Sequence, residues 1–167
     1  MQLQLEAPIL RAVPPASDPR QKAWARLIVA HALLVERVEA AFAEADLPSL
    51  DWYDLLWVLE SADHGRLRMA DIADRVVVSR SNVTRLADRL EKAGLVTRAS
   101  CPQDGRSTFC VITDKGRALR ARMWAVYRKQ IETHFGRHLA AREAEDMAGV
   151  LERIISSLRS KTKETTA

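Results

Sequence analysis

Apolar positions recur along this chain with helical spacing at both ends and with shorter, mixed spacings in the middle. From Asp18 to about Ala45 they follow at intervals of three and four residues, which predicts one long amphipathic helix. Asp18 and Pro19 are typical of a helix N-terminus. A helix of roughly 27 residues is about 40 Å long, more than one small domain covers, so part of its stripe is expected to meet another chain. The stripe comprises Trp24, Leu27, Ile28, His31, Leu34, Val35, Val38, Ala41 and Phe42.

The same spacing predicts three further helices. One covers Leu50–Ala62, a long one opens at Thr113 and is broken at Gly136, and the last runs from about Ala141 to Arg159. Long helices at both ends of the sequence favour an intertwined helical dimer. The alternative is a monomeric bundle packed on the central unit. Residues 1–17 hold three of the six prolines and are expected to form a flexible arm.

The middle of the chain alternates between short helical and strand-like patterns. A short helix is predicted over Met69–Arg75, an apolar turn over Val76–Val78, and a longer helix from Ser79 to Gly94. This order is typical of a helix-turn-helix whose second helix reads DNA.

Two strand-like runs follow that helix, Leu95–Arg98 and Phe109–Ile112. The polar stretch Pro102–Ser107 forms the predicted tip of the hairpin, with Asp104-Gly105 as its turn. Leu67-Arg68 is expected to add a minimal third strand.

The predicted fold is therefore mostly α with a small β wing (α+β): a winged helix-turn-helix embedded between long dimerisation helices. Residues 1–17 form the arm, residues 18–48 and 118–160 the helical dimerisation region, and residues 49–117 the winged DNA-binding domain.

Charge is unevenly distributed along the chain. Residues 1–65 carry 5 basic and 10 acidic side chains, residues 66–117 carry 11 and 6, and residues 118–167 carry 10 and 6. The positive excess therefore begins with the central unit, where it suits a phosphate backbone. The alternative interpretation is a solvated surface of mixed charge.

Several classes of protein lack their signature in this sequence. The two cysteines, Cys101 and Cys110, are too few for a disulfide framework and fit a reducing cytosol. No apolar run has signal-peptide or membrane-spanning length, so we expect a cytoplasmic protein without a membrane partner. The histidines and cysteines lack metal-ligand spacing and no Gly-rich phosphate loop is present, so we expect no metal, no cofactor and no enzyme.

The second helix of the helix-turn-helix carries a polar cluster in its first two turns. Arginine can bind guanine bidentately, asparagine can bind adenine, and hydroxyls reach bases or phosphates. Val83, Leu86 and Leu90 fall on the opposite face and are expected in the core. The predicted DNA-binding residues of this helix are Ser79 (also the N-cap), Arg80, Ser81, Asn82, Thr84 and Arg85.

The hairpin supplies a second candidate DNA contact. Arg106 is predicted to project from its tip toward a narrow minor groove, which attracts a guanidinium group. Asp104 is expected to pair with an arginine at the base of the wing and to fix its orientation, and Arg98 is a candidate phosphate contact. An ordinary surface turn is the alternative.

This stretch resembles the MarR family of bacterial transcription regulators. The resemblance rests on Ile72-Ala73, Ser79, Val83–Leu86, Asp88–Val96, and the wing signature Asp104-Gly105-Arg106 followed by Val111–Gly116. It implies a homodimer held by the first and last helices, a palindromic operator, and repression relieved by a small molecule or by thiol oxidation. The turn Val76–Val78 departs from the family pattern, which often has a glycine there.

In this family, effectors often bind where the dimerisation helices meet the winged unit. Three tryptophans, a tyrosine, a histidine and an acid at that junction could hold a flat aromatic ligand with a polar group. These candidate residues are Trp24, His31, Trp52, Tyr53, Asp54 and Trp57. The alternative is that Trp24, His31 and Trp52 are simply core residues of their helices.

Two other functions compete with a ligand-released repressor. The first is a thiol-based redox regulator using Cys101, since Arg98 and Arg106 nearby favour the reactive thiolate. Against this, thiol-switch members carry their cysteine near the first helix, and Cys110 is predicted to point into the core. The second is a winged module used only for protein interaction, which the polar cluster of the second helix disfavours.

Overall fold

The computed structural model describes residues 18–73, 75–76, 80–101 and 104–164. The predicted arm over residues 1–17, most of the turn Val76–Val78 and the predicted cap Ser79 lie outside these ranges. The helices are α1 (Pro19–Glu44), α2 (Leu50–Glu60), α3 (Met69–Ala73), α4 (Arg80–Lys92), α5 (Asp114–His134) and α6 (Ala141–Glu164); the strands are β1 (Arg66–Arg68), β2 (Val96–Cys101) and β3 (Asp104–Ile112).

The predicted fold class is confirmed: the protein is mostly helical, with one small antiparallel sheet. The strand order is β1-β3-β2, so the minimal third strand predicted at Leu67-Arg68 is present and pairs with the end of β3. At the other end of the sequence, α6 continues to Glu164, beyond the predicted end at Arg159.

The helix ends follow local sequence signals. The Asp18 side chain accepts a hydrogen bond from the Arg20 amide at 2.8 Å, and Pro19 takes the first helical position of α1. At the start of α6 the Glu143 carboxylate reaches back to the Ala140 amide at 2.8 Å, which is half of a capping box.

The chain divides into two compact units, residues 1–128 and residues 129–167. The first unit holds a core in which α2, α4 and the sheet meet, and which includes Leu55, Leu59, Ile72, Val83, Leu86, Leu90, Val96 and Cys110. Beside it, a smaller cluster joins α1, α2 and α5 through Val38, Phe42, Tyr53 and Met123. These two clusters fix the helix-turn-helix and the base of the hairpin as one body.

The second unit comprises the end of α5, a 3₁₀ turn at Gly136–His138, and α6. Apolar side chains at Val150, Ile154 and Leu158 are spaced four residues apart on α6 and are all exposed, Leu158 by 64%. Residues at this spacing share one face of a helix, so α6 presents an apolar stripe.

Candidate nucleic-acid interface

Helix α4 is strongly two-sided. Val83, Leu86 and Leu90 are almost fully buried in the main core, as the sequence predicts. The side chains of Asn82, Thr84 and Arg85 are exposed. The buried face therefore fixes the rotation of the helix and turns a donor-rich face outward.

Part of the predicted polar cluster lies beyond what the structure describes. Arg80 and Ser81 form the first turn of α4, but only their backbone is described, and Ser79 lies outside the described residues. The described part of the cluster is Asn82, Thr84 and Arg85, which lie within one turn of α4. It combines an amide, a hydroxyl and a guanidinium group, which are the groups that read base edges in a major groove.

Open clefts lie along α4. One, of about 430 Å³, is lined by Asp51, Asn82, Arg85, Leu86, Asp88 and Arg89. Another, of about 580 Å³, separates α4 from the sheet and is lined by Arg68, Met69, Ala70, Asp71, Thr84, Arg98 and Thr108. The helix is thus accessible along its length.

The hairpin tip differs from its prediction. Asp104 already pairs with Cys101 inside the sheet, whereas Ser100 pairs with Thr108, so one step along β2 corresponds to four steps along β3 and the register is irregular there. The prediction that Asp104-Gly105 forms the turn is therefore wrong: both residues belong to β3. The sequence signal is ambiguous because glycine is frequent both in tight turns and in β-bulges. The side chains of Asp104 and Arg106 lie outside what the structure describes.

Arg98 lies in the middle of β2 and is paired with two carboxylates of α4. Its guanidinium group hydrogen-bonds the Asp88 carboxylate, and a second nitrogen lies 3.3 Å from Glu91 Oε2. The hydrogen bond to Asp88 raises the pKa of Arg98 above its ordinary value. Arg98, the predicted phosphate contact, is therefore already paired with two carboxylates of the protein itself.

The C-terminal end of α4 is held by the start of α5. Lys115 Nζ donates to the Ala93 carbonyl at 2.8 Å, and Thr113 Oγ1 lies 2.9 Å from the Gly94 carbonyl oxygen. The same Thr113 hydroxyl accepts from the Gly116 amide at 3.1 Å and so caps α5. Gly94 has a φ of 72°, the left-handed conformation that ends many helices.

One more ion pair ties α4 to α2. The Arg89 guanidinium lies 3.0 Å from Asp51 Oδ2, and both side chains are partly exposed. Asp51 stands in the first turn of α2, where a negative charge is favoured by the helix dipole.

An aromatic cluster forms where α1, α2 and α5 meet. Tyr53 is stacked on Trp124 with ring centroids 6.2 Å apart, and Tyr127 meets Tyr53 edge-on at 5.1 Å. Phe42 contacts Tyr127 edge-on at 6.2 Å. Such ring pairs stabilise beyond their buried area, and they place polar hydroxyls beside apolar faces.

Asp54 belongs to an acidic group beside this cluster. It is half-buried, and burial raises its pKa to about 6, with further contributions from the charges of Asp51 and Glu39. Glu39, on α1, accepts a hydrogen bond from the Leu50 amide at 2.8 Å. This bond fixes the Glu39 carboxylate and caps the start of α2. Asp54 thus titrates close to neutral pH.

The predicted effector residues are not all together within one chain. Tyr53 and Asp54 lie at the α1–α2–α5 junction, and Trp52 packs against both core clusters. Trp24 is 63% exposed, and it lies about 27 Å along α1 from Phe42. His31 is also exposed, and Trp57 is 50% exposed on α2. The alternative that Trp24 and His31 are core residues does not hold within this chain.

Sequence reasoning missed three residues of this region. Glu39, Trp124 and Tyr127 come from α1 and α5, far from Asp54 in the sequence. Tyr127 follows Leu119 and Met123 at intervals of four residues, which is an apolar stripe in the sequence, but nothing in the sequence indicates which helix that stripe meets.

Cys110 is fully buried in the main core, as predicted from its alternation with Ile112. Burial raises the pKa of its thiol to about 11. The thiolate is therefore scarce at neutral pH and Cys110 is unreactive. The side chain of Cys101 lies outside what the structure describes.

Neither a metal site nor a membrane span emerges from the described part of the chain. No group of three or more His, Cys, Asp or Glu side chains there could hold a metal ion. No described helix is long and apolar enough to cross a membrane.

Comparison with known sequences points to one family. A family model for the MarR family matches residues 45–107. The transcriptional repressor IacR of Pseudomonas putida is 29% identical over 126 residues, which are 72% of each chain. The HTH-type transcriptional regulator YfiV of Bacillus subtilis is 40% identical over 57 residues, so the matched segment spans 34% of this chain and 36% of YfiV.

Solved structures match over most of the chain. The MarR family regulator AbsC of Streptomyces coelicolor superposes with a TM-score of 0.78 at 27% identity, covering 87% of this chain and 97% of AbsC. Sco3205 of the same organism, solved in complex with DNA, has a TM-score of 0.78 at 24% identity, covering 87% and 91%. BpsR of Bordetella bronchiseptica, whose DNA binding is regulated by 6-hydroxynicotinic acid, has a TM-score of 0.71 at 19% identity, covering 83% and 96%. The element order, the two-sided helix and these matches agree, and together they support a MarR family winged-helix transcriptional regulator.

Proposed function

We propose that the protein represses transcription by binding a palindromic operator as a homodimer. The observation that carries this proposal is the exposed face of α4, where Asn82, Thr84 and Arg85 stand on a helix whose opposite face is buried. In this geometry α4 enters the major groove and its first two turns contact base edges. The proposal also includes the predicted contacts Ser79, Arg80 and Ser81, whose side chains lie outside the described residues.

Charge supports DNA as the partner of this face. Residues 66–117 carry 11 basic and 6 acidic side chains, whereas residues 1–65 carry 5 and 10. Such an excess favours a polyanion and gives binding a strong salt dependence. The proposal also includes two residues of the wing, Arg106 as a minor-groove contact and Asp104 as the partner of an arginine at the base of the wing. The DNA complex of Sco3205 shows that the same fold can bind DNA.

The homodimer is supported by apolar side chains that a single chain leaves exposed. In the first unit these are Trp24, Ile28 and Leu33 on α1; in the second they are Val150, Ile154 and Leu158 on α6. A second copy related by a two-fold axis would cover the same stripes on both partners. The resulting pair of α4 helices matches two half-sites of a palindrome.

Selection of bound sequences from random duplex DNA, followed by titration of the selected site, tests this proposal. We expect a palindromic site bound about 10³-fold or more tightly than random duplex at the same salt concentration. Light scattering of the free protein should give twice the chain mass of 18.8 kDa. Equal affinity for all duplexes would favour the protein-interaction module, and a mass of 18.8 kDa would exclude the dimer.

Release by a small aromatic effector is the second part of the proposal. Support comes from the Tyr53–Trp124 pair, the exposed ring of Trp57, and the Asp54 carboxylate beside them. In a dimer, Trp24 and His31 of the partner chain can contribute to a ligand site at this junction. The carboxylates of Glu39, Asp51 and Asp54 disfavour an anion, so the polar group of the ligand is a hydrogen-bond donor or a cation.

Tryptophan fluorescence during titration with a panel of flat aromatic amines, phenols and carboxylates tests the effector. A ligand that shifts the emission and releases operator DNA is expected among the amines or phenols. Its affinity should fall in Asp54→Asn and stay unchanged in Asp71→Asn, an exposed aspartate on α3. Release by carboxylates alone would contradict the proposed polarity of the pocket.

A further inference from the structure

Arg98 of β2 forms ion pairs with two residues of α4. Among the ion pairs of the described residues, these are the ones that link the wing to that helix. Asp88 and Glu91 are three residues apart and therefore lie on the same face of α4. Arg98 reaches that face from the middle of β2, which begins at Val96, shortly after the end of α4. The guanidinium group thus spans the angle at which the wing leaves the helix.

The charges of this group do not favour a phosphate. Arg98 contributes one positive charge, and Asp88 and Glu91 contribute two negative ones, so the three side chains together are net negative. A DNA phosphate brought to Arg98 would be repelled by both carboxylates and would have to displace at least one hydrogen bond. The three side chains are only partly exposed, between 34% and 49%.

We propose that Arg98 is a positioning residue: it sets the direction of the wing relative to the recognition helix and does not contact the DNA backbone. The inference rests on the proposed operator binding for its effect on affinity, but the ion pairs themselves belong to the free protein. Cys101, at the end of β2, lies three residues beyond Arg98, which is about 10 Å of strand. A change of direction at Arg98 therefore moves the far end of the hairpin, where Arg106 is carried.

Isosteric neutralisation of the carboxylates separates positioning from phosphate contact. In the double variant Asp88→Asn/Glu91→Gln, Arg98 keeps its charge but loses its anchors. A phosphate contact would become free and operator binding would strengthen. A positioning residue would lose its hold, so the ratio of operator to random-duplex affinity should fall roughly two- to five-fold, the range expected for partly exposed ion pairs. Asp71→Asn removes a negative charge from the same cleft without touching Arg98 and should leave that ratio unchanged.

Arg98→Gln gives the complementary measurement. Positioning predicts a similar two- to five-fold loss of the ratio, with the slope of log affinity against log salt unchanged. A phosphate contact predicts that the slope becomes shallower by about one. An unchanged or raised ratio of operator to random-duplex affinity in the double variant, or a shallower slope in Arg98→Gln, would overturn the inference.

Amide hydrogen exchange of the free protein makes the test independent of DNA. Loss of the anchors should speed exchange in residues 96–100 and 108–112 by roughly two- to five-fold in both variants. Arg85→Gln, whose side chain lies on the exposed face, should leave exchange in these strands unchanged. Unchanged exchange in all variants would refute the positioning role, even if the operator proposal holds. Faster exchange in a protein that binds no operator would refute the operator proposal alone.

Discussion

The two ends of helix α4 (Arg80–Lys92) are held very differently. Its C-terminal half is tied to three other elements: Arg89 pairs with Asp51 of α2, Asp88 and Glu91 pair with Arg98 of β2, and Ala93 accepts a hydrogen bond from Lys115 of α5. In its N-terminal half, the described polar side chains at positions 82, 84 and 85 are exposed. One end anchors the helix and the other is left free to bind.

This division suits a helix that must read bases. Hydrogen bonds to base edges require side chains placed within a fraction of an ångström, which a helix on rigid supports provides. Groups that pair within the protein are not available to DNA. The charged residues of α4 therefore fall into two groups, those that pair within the protein and those that are exposed. Substitutions at the two ends of the helix should accordingly affect different properties, stability at one end and DNA affinity at the other.

The largest effect is expected at Gly116, where α5 meets the C-terminal end of α4. A Cβ atom there would lie 2.2 Å from the Leu95 carbonyl oxygen and 2.9 Å from Ile112 Cγ1. Because the first of these is backbone, the contact cannot be relieved by a rotamer change. Gly116→Ala should lower the free energy of unfolding by about 3 kcal/mol. Urea denaturation followed by circular dichroism measures it.

Gly149 in α6 provides the control for this substitution. A Cβ atom there would meet only the end of the Arg153 side chain, at 3.8 Å. Gly149→Ala should therefore raise the free energy of unfolding by about 0.5–1 kcal/mol, the ordinary gain in a helix interior. If both substitutions had the same sign, the close packing assigned to the anchored end would be wrong.

The next largest effect is expected at the free end. Arg85→Ala removes a proposed base contact and should weaken operator binding by about 1–3 kcal/mol while leaving the free energy of unfolding unchanged. Arg106→Ala should weaken binding in the same way through the wing. Arg89→Ala, one turn along the same helix, is the matched control and should change affinity by less than about 1 kcal/mol. Equal losses at Arg85 and Arg89 in a titration at fixed salt would erase the distinction between the two ends.

The sequence predicted the free end better than the anchored one. Helix periodicity places Val83, Leu86 and Leu90 in the core, so the face carrying Asn82 and Arg85 follows from spacing alone. The start of α1 and the third strand were also predictable, because a cap and a short alternating run are local signals. The proposed DNA-reading face is encoded within a short stretch of consecutive residues.

Contacts between distant elements were not predictable in this way. Nothing local indicates that Arg98 turns back to Asp88, or that Asp54 meets Glu39 across two helices. The place of Asp104-Gly105 in β3 was missed for a similar reason, because the pairing partner across the hairpin decides whether these residues lie in a turn or in a strand. The candidate control region depends on such contacts, and so its residues were only partly identified.

A smaller effect concerns Asp54, one turn beyond the residue that pairs with Arg89. Its pKa is raised from 3.8 to about 6, mainly by burial. The folded protein therefore takes up a proton before the unfolded chain does as the pH falls, so this group favours folding below about pH 4 and loses that contribution as the pH rises through 6. For a fully buried group, this contribution to the free energy of unfolding would be about 3 kcal/mol. Because Asp54 is partly exposed, the contribution is reduced to about 1–2 kcal/mol.

Asp54→Asn should consequently stabilise the protein by about 1–2 kcal/mol at pH 7.5 and have little effect at pH 4. Urea denaturation of both proteins at the two pH values measures the difference, and Asp71→Asn serves as an exposed control. A gain that is the same at both pH values would show that the charge of Asp54 is not its cause.

The smallest effect should come from the Asp51–Arg89 pair, which anchors α4 to α2. Both side chains are partly exposed, so their attraction is screened, and a double-mutant cycle of Asp51→Asn and Arg89→Gln should give a coupling of about 0.2–1 kcal/mol in the free energy of unfolding. The coupling should vanish in about 1 M salt, where the screening length is about 3 Å. If it persisted there, the contact would act by packing rather than charge. A coupling this small, set beside the loss expected for Gly116→Ala, would mean that backbone packing at the helix end, more than its ion pairs, supplies the rigidity on which base reading depends.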